Sequence, residues 1–365
     1  MTFNDDSQSI LCEAYAMVRR LVADLQAAGH EVTIVVSNES QRPVPCDFVD
    51  AAGSPRHAFQ RQLPKSDAAY VIAPETEGML ADLVEMTEDE CGSEKSLNQP
   101  SSAVSRTSDK FQVYETLRRS GLEVPRTLAL NRTDSAGSDH LSATLGFPLV
   151  LKPTGAVACE GLTVAYTEQD LLTSQSNYSH SEAVSTLIAQ EYVRGIPASV
   201  SLLCSEKGAR PLSLNRQILL LDRRFGHSMY VGGVVPLDHS GTREAFRAAS
   251  RAAEVLGLNR GYVGVDIVLT RDGPVVIDVN PRLTTSYVGL QKTASINIAE
   301  WMVKACTTDE LPPSVVHSGY AIFLKVDSEY ERGYVMVEGY DVTLVKAAAN
   351  LRKARSTLRL PGDTK

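Results

Sequence analysis

Asp266, Asp278 and Asn280 fall within VGVDIVLTRDGPVVIDVNP, residues 263–281. The run reads as a β-hairpin turning at Arg271-Asp272-Gly273, since a three-residue loop with glycine in its left-handed position is a common connection. A register centred on residue 272 sets Asp266 opposite Asp278, and Asn280, two residues on, shares a face with Asp278. Two carboxylates and an amide oxygen then converge. Such hard ligands suit Mg²⁺, which keeps waters and binds substrate phosphates beside one or two protein carboxylates; Mn²⁺ is the alternative ion. The competing reading places both aspartates on a solvent face without a metal. Their neighbours Val265, Ile267, Val268, Val275, Val276, Ile277 and Val279 speak against it, because carboxylates on a strand pair covered on both faces need a compensating cation.

Lys152 ends the apolar run FPLVLKP, and a lysine there either meets an anion or snorkels to solvent. A phosphate is a suitable anion, and the turn from Gly155 to Gly161 (GAVACEG) can cover phosphates with backbone N–H groups, as turn nests do. Lys110 lies in the first turn of a helix that Ser108 and Asp109 can cap, running to Arg119 and ended by Gly121. By itself it reads equally as a surface lysine.

These residues need a scaffold, and the surrounding pattern supplies one. From Leu11 to Ala28 the residues Leu11, Ala14, Tyr15, Val18, Leu21, Val22 and Leu25 recur at helical spacing until Gly29. The segment EVTIVV (31–36), a Pro-rich turn, the strand-like AAYVIA (68–73) and a helix over 77–86 follow, which predicts a small α/β layer. The polar residues before Leu11 leave that layer's opening strand missing or degenerate. An acidic, then Ser-rich stretch over 85–109 reads as a linker. Beyond it the predicted order is a strand at 124–130, a loop at 131–141, strand–turn–strand over 147–167, strands at 187–193, 198–204 and 211–221, a loop at 221–233, a helix at 243–256, the hairpin, and a mostly β end over 320–345.

Composition narrows the classes of function. The chain has 365 residues, 43% hydrophobic and 22% charged, as in ordinary globular proteins, and no apolar run approaches a membrane span. The net charge of −8 argues against nucleic acid or a membrane surface as a general partner. The basic residues Lys346, Arg352, Lys353, Arg355, Arg359 and Lys365 read as a solvated end. Six scattered cysteines without C-x-x-C spacing suggest reduced thiols rather than disulfides or zinc. A start with neither basic flank nor apolar stretch predicts a cytoplasmic location. The oligomeric state stays open, a homo-oligomer included.

The ordered set Lys110, FPLVLKP with its glycine turn, AQEYVRG, VDIVL and VIDVNPR resembles the ATP-grasp superfamily of carboxylate–amine ligases across residues 105–300. The resemblance implies an α/β fold: an incomplete Rossmann-like pre-ATP-grasp domain over 1–105, ATP-grasp lobes over 106–190 and 191–305, and a β-rich extension over 306–365. It assigns Lys110 and Lys152 to the ATP phosphates. Gln190, Glu191, Tyr192 and Val193 become the linker between lobes, with backbone groups of Glu191 and Val193 reading the adenine edge. Asp266, Asp278 and Asn280 would hold one or two Mg²⁺ ions, and Arg282 would face a developing acyl phosphate. Two departures stand out: Pro197 and Ser199 occupy the region where a ribose-binding carboxylate often falls, and Asp278 replaces the usual Glu.

Further segments, CEAYAMVRRLVADLQAAGHEV, AAYVIAPETEGML, ASVSLLCSEKGARPLSLNRQ and NPRLTTSYVGL, resemble the tyramine–glutamate ligases of methanofuran-type cofactor assembly and their relatives. That implies ATP, Mg²⁺, and small-molecule carboxylate and amine substrates, with Asn215, Arg216, Gln217, Arg223 and Arg224 as candidates for substrate carboxylates. Thr284, Thr285 and Ser286 read either as hydroxyls on the acceptor side or as turn residues. Two alternatives compete: another ATP-grasp amino-acid or peptide ligase or carboxylase, and a catalytically impaired nucleotide-binding regulatory protein.

Overall fold

The computed structural model describes residues 5–36, 46–50, 54–131, 138–155, 159, 161–179, 186–224, 228–324 and 343–348. The first described element is helix α1 (Asp5–Ala27). Among its residues of described burial, Ala16, Met17, Leu21, Val22 and Asp24 are buried, and Tyr15 and Leu25 pack partly against the same core, so the predicted stripe holds at Tyr15, Leu21, Val22 and Leu25 and widens to Ala16 and Met17. Strands β1 (Thr33–Val36) and β2 (Asp47–Asp50) pair in parallel, followed by helices α2 (Pro55–Gln62), α3 (Met79–Cys91) and α4 (Ser101–Thr107). The predicted strand over 68–73 does not form. Ala69 makes one isolated bridge to Ser96, and the Asn98 side chain takes the place of a ladder at Val71, accepting from its N–H at 2.8 Å and donating to its C=O at 2.9 Å.

The predicted linker over 85–109 is likewise packed structure. Several of its polar residues are buried or half-buried with partners: half-buried Glu88 accepts from the N–H and hydroxyl of Ser101. Gln99 accepts from the Arg260 N–H and donates to the Arg260 carbonyl. Helix α5 (Lys110–Arg119) follows, with Asp109 accepting from the N–H groups of Phe111 and Gln112, as its sequence predicts.

A small antiparallel sheet comes next, built from β3 (Thr127–Asn131), β4 (Leu149–Pro153), β5 (Thr163–Ala165) and β6 (Thr186–Glu191) in the order β3-β6-β4-β5. Helices α6 (Ser138–Leu145) and α7 (Glu168–Ser179) pack on it around Leu141, Leu149, Leu151, Leu171 and Tyr178. Of the predicted 131–141 loop, Asn131 ends β3, residues 138–141 belong to helix α6, and residues 132–137 lie outside the described residues.

The large sheet has seven antiparallel strands in the order β11-β10-β7-β8-β9-β12-β13. They are β7 (Ile196–Ser205), β8 (Gly208–Leu220), β9 (Met229–Val235), β10 (Gly261–Leu269), β11 (Pro274–Asn280), β12 (Tyr320–Leu324) and β13 (Thr343–Ala348). Strand β9 begins within the predicted 221–233 loop and runs two residues beyond it, and it can pair because Gly232 and Gly233 lie against Ile218 and Gln217. Helix α8 (Thr242–Val255) covers one face together with Ala103, Val113 and Leu117. Helices α9 (Tyr287–Thr293) and α10 (Ile298–Thr307) cover the other. Helix α1 packs on α9 and α10, so it joins this lobe's core. Both sheet faces are therefore apolar, which explains the near-continuous valine and isoleucine of the hairpin. Cys46, Cys91, Cys159, Cys204 and Cys306 are not joined in disulfides. Among the described residues no helix is long and apolar enough to cross a membrane.

Candidate active site

The cleft between the two sheets is centred on the β10–β11 hairpin. Asp266 pairs with Asp278 and Gly264 with Asn280, as the sequence predicts, but for a different reason. Leu269 pairs with Pro274, so the turn holds four residues rather than three, and one extra residue, Ile277, bulges from β11 and restores the register. The bulge also changes phase. Val276 and Val279 point into the α8 core three residues apart, which turns Asp278 and Asn280 to the cleft.

The lysines reach the same point from two other elements. Along β4, Leu149 and Leu151 enter the small-sheet core while Val150 and Lys152 line the cleft. Lys110, first residue of α5, donates to Asp278 Oδ2 at 2.7 Å. Burial raises the Asp266 carboxyl to about 6, and Asp278 adds to this against Asn280, Lys110 and Gln217. Burial also acts upward on Asp278, yet Lys110 and Lys152 together hold it below the usual carboxylate range. Lys152 is only 7% exposed, and burial, helped by Lys110, lowers its ammonium against the pull of both aspartates. For Lys110 burial acts the same way, but Asp278 outweighs it and the ammonium is raised. Two buried cations and two buried anions form one coupled set.

Gln190, Glu191, Tyr192 and Val193 all line the cleft. Gln190 donates to Thr127 Oγ1 at 2.9 Å. The Glu191 N–H is committed to the Arg126 carbonyl, and its carboxylate to Arg126 Nε at 2.6 Å. Val193 lies two residues beyond the end of β6, outside any ladder. Apolar Val150, Ile267 and Ile277 complete a slot suited to a flat ring. Gly155 and Gly161 are not among the lining residues, whereas Cys159 between them is. Gly161 has φ +64° and Tyr178 donates its hydroxyl to the Gly161 carbonyl.

The remaining predicted residues divide. Gln217 lines the cleft and donates to Asp266 Oδ1 at 2.8 Å. Asn215 is buried on the same side of β8, bonded to Ser201 and Ser213. Arg216 lies between these two, so strand alternation aims it at the opposite face, and it is not a lining residue. Arg223 and Arg224 are exposed, and Arg224 pairs with neighbouring Asp222. Thr284, Thr285 and Ser286 line the cleft. Arg282 does as well, but its Nε is 2.9 Å from both oxygens of Glu75.

Glu75, Glu13 and Tyr230 are residues of this region that the sequence reading missed. Glu13 and Tyr230 line the cleft, and Glu75 reaches its edge through Arg282. A signal existed for Glu13, an acid one and two turns before residues of the buried helix face; none existed for Tyr230, since β9 itself was read as loop.

The residues fit a nucleotide with a divalent cation. Asp266, Asp278 and Asn280 offer oxygen ligands only, and Asn280 donates its amide N–H to Asp266 Oδ2, leaving its own oxygen as an acceptor. Among the described residues no group of three or more His, Cys, Asp or Glu could hold a metal alone. That suits a cation completed by water and phosphates.

The ATP-grasp domain family matches residues 107–286 and the pre-ATP-grasp domain family residues 33–104. Two tyramine–L-glutamate ligases are similar: that of Methanocaldococcus jannaschii, 38% identical over 34% of this chain and 37% of that protein, and that of Methanocaldococcus fervens, 32% identical over 68% of each. A probable alpha-L-glutamate ligase of Legionella pneumophila is 27% identical over 82% of this chain and 94% of that one. The crystal structure of a putative ATP-grasp superfamily protein from Archaeoglobus fulgidus superposes with a TM-score of 0.63 at 28% identity, covering 88% of each chain. The cleft and these likenesses agree, and the chain belongs to the ATP-grasp family of ATP-dependent carboxylate–amine ligases.

Proposed function

We propose that this protein joins a carboxylate, L-glutamate, to a primary amine, tyramine, as an amide, with ATP converted to ADP and phosphate. The observation that carries the ligase part is the meeting of Lys110, Lys152, Asp266, Asp278 and Asn280 at the hairpin. The substrates rest on the relatives whose names contain tyramine and glutamate. Methanofuran-type cofactor assembly is the setting this specificity suits.

When bound, ATP with Mg²⁺ supplies the phosphoryl group that activates the carboxylate. Lys110 and Lys152 would hold phosphate oxygens, and Asp266, Asp278 and Asn280 the cation. Displacing Lys110 from Asp278 frees that carboxylate for the metal and the ammonium for phosphate. Val193 at the hinge between lobes offers its backbone N–H to the adenine edge. Arg282, oriented by Glu75, carries positive charge beside the reacting carboxyl. The buried walls exclude water, which would otherwise hydrolyse an activated acyl group.

The test is incubation of the protein with ATP, Mg²⁺, L-glutamate and a panel of amines, with products identified by mass. Expected is a glutamyl amide of tyramine formed faster than any other adduct. An adduct with a different amine as the preferred product would move the protein to another ATP-grasp ligase specificity. ADP formation without any amide would refute the ligase reading.

A further inference from the structure

Helix α1 brings an acidic side chain, Glu13, into the cleft wall beside Tyr230, Arg282, Thr285 and Ser286. Thr285 donates its hydroxyl to Glu13 Oε2 at 2.6 Å. The helix that carries it is firmly seated: Ala16, Met17 and Leu21 are buried against α9 and α10. Three turns on, Asp24 accepts from the Tyr287 hydroxyl and from Gln291, while the Asp24 carbonyl accepts from Asn297. Glu13 is thus placed by a docked element and not by a mobile loop.

The charges of the cleft can be sorted by what each can bind. Lys110, Lys152 and Arg282 suit phosphate and carboxylate, and Asp266 and Asp278 with Asn280 suit a divalent cation. Glu13 comes from a different element, next to the 284–286 turn that follows Arg282, and its carboxylate has the chemistry to accept N–H⁺ donors. Both substrates of the proposed reaction carry a primary ammonium, the amine itself and the α-amino group of glutamate. We infer that Glu13 is the receptor for a substrate's primary ammonium group, with the Thr285 hydroxyl fixing the carboxylate and Tyr230 and Ser286 forming the adjoining wall. This inference rests on the ligase reading for the choice of substrates.

The test compares the full-length protein with Glu13→Gln, which keeps an oxygen for Thr285 and removes only the charge. Titration calorimetry, with Mg²⁺ and a non-hydrolysable ATP analogue present, uses two matched pairs of ligands. Tyramine is set against tyrosol, which has a hydroxyl in place of the ammonium, and L-glutamate against glutarate, which lacks the ammonium. The parent protein should prefer the ammonium-bearing member of one pair by about 10- to 100-fold, the usual scale of a charge-assisted hydrogen bond. Glu13→Gln should lose that preference with its affinity for the ATP analogue unchanged. Loss in the tyramine pair assigns the ammonium to the acceptor, and loss in the glutamate pair assigns it to the donor. Preference surviving in the variant, no preference in the parent protein, or a parallel fall in nucleotide affinity would each overturn the inference. An ammonium preference that depends on Glu13 in a protein that forms no amide would contradict the ligase reading instead.

Discussion

At the scale of single residues, the cleft is a set of buried charges that only make sense together. Lys152→Ala or Asp278→Ala should lower ATP-dependent turnover by at least ~100-fold, as when one preorganised electrostatic group is removed. Circular dichroism should show the fold retained, and near-normal turnover in both variants would contradict the assignment. Asp266 gives a pH dependence with a definite sign. Its carboxyl is raised to about 6 by burial and by Asp278, so between the ordinary carboxylate range and about 6 the folded chain holds a proton that the unfolded chain lacks. Stability from this group is complete below that window and is lost as pH rises through about 6. The same proton competes with a divalent cation. Affinity for ATP with Mg²⁺, titrated from pH 5 to 7.5, should therefore weaken below about 6, and a flat profile would show that Asp266 is no part of the cation site. The aspartates were legible because strand pairing brings residues at fixed offsets together. Arg282 was legible as a cleft residue, but its partner Glu75, 207 positions away in sequence, was not, since nothing local joins them.

At the scale of elements, polar segments that read as linker or loop proved to be structural. Asn98 replaces a strand partner for Val71, and Asn98→Ala would leave a buried donor and acceptor unmatched. The expected cost is about 2–3 kcal/mol in urea unfolding, and a loss under half of that would mean water takes over both bonds. Strands β1, β3 to β8, β10 and β11 and helices α5 and α8 followed from alternation, spacing and capping, which are local. Strand β9, helices α7, α9 and α10, and the packed 85–109 segment were hidden because their stability comes from distant partners. The hairpin register is a special case: a four-residue turn and a bulge at Ile277 offset one another, so a simpler expectation reached the right pairing.

At the scale of the whole molecule, N-terminal residues complete the ATP-grasp core instead of standing beside it. Leu21, buried on α1 against the second lobe, should cost about 3 kcal/mol on replacement by Ala. Nucleotide binding should weaken along with that loss if α1 and the lobe unfold as one unit. Unchanged nucleotide affinity in a variant whose thermal unfolding splits into two transitions would show α1 to be separable. The central claim is that the hairpin cleft couples ATP cleavage to amide formation. The most direct measurement is the stoichiometry of ADP and amide released with L-glutamate and tyramine, for the parent protein and for Asp278→Ala. One ADP per amide, dependent on both substrates and abolished in the variant, is expected; ADP release that ignores either substrate, or survives in Asp278→Ala, would contradict it.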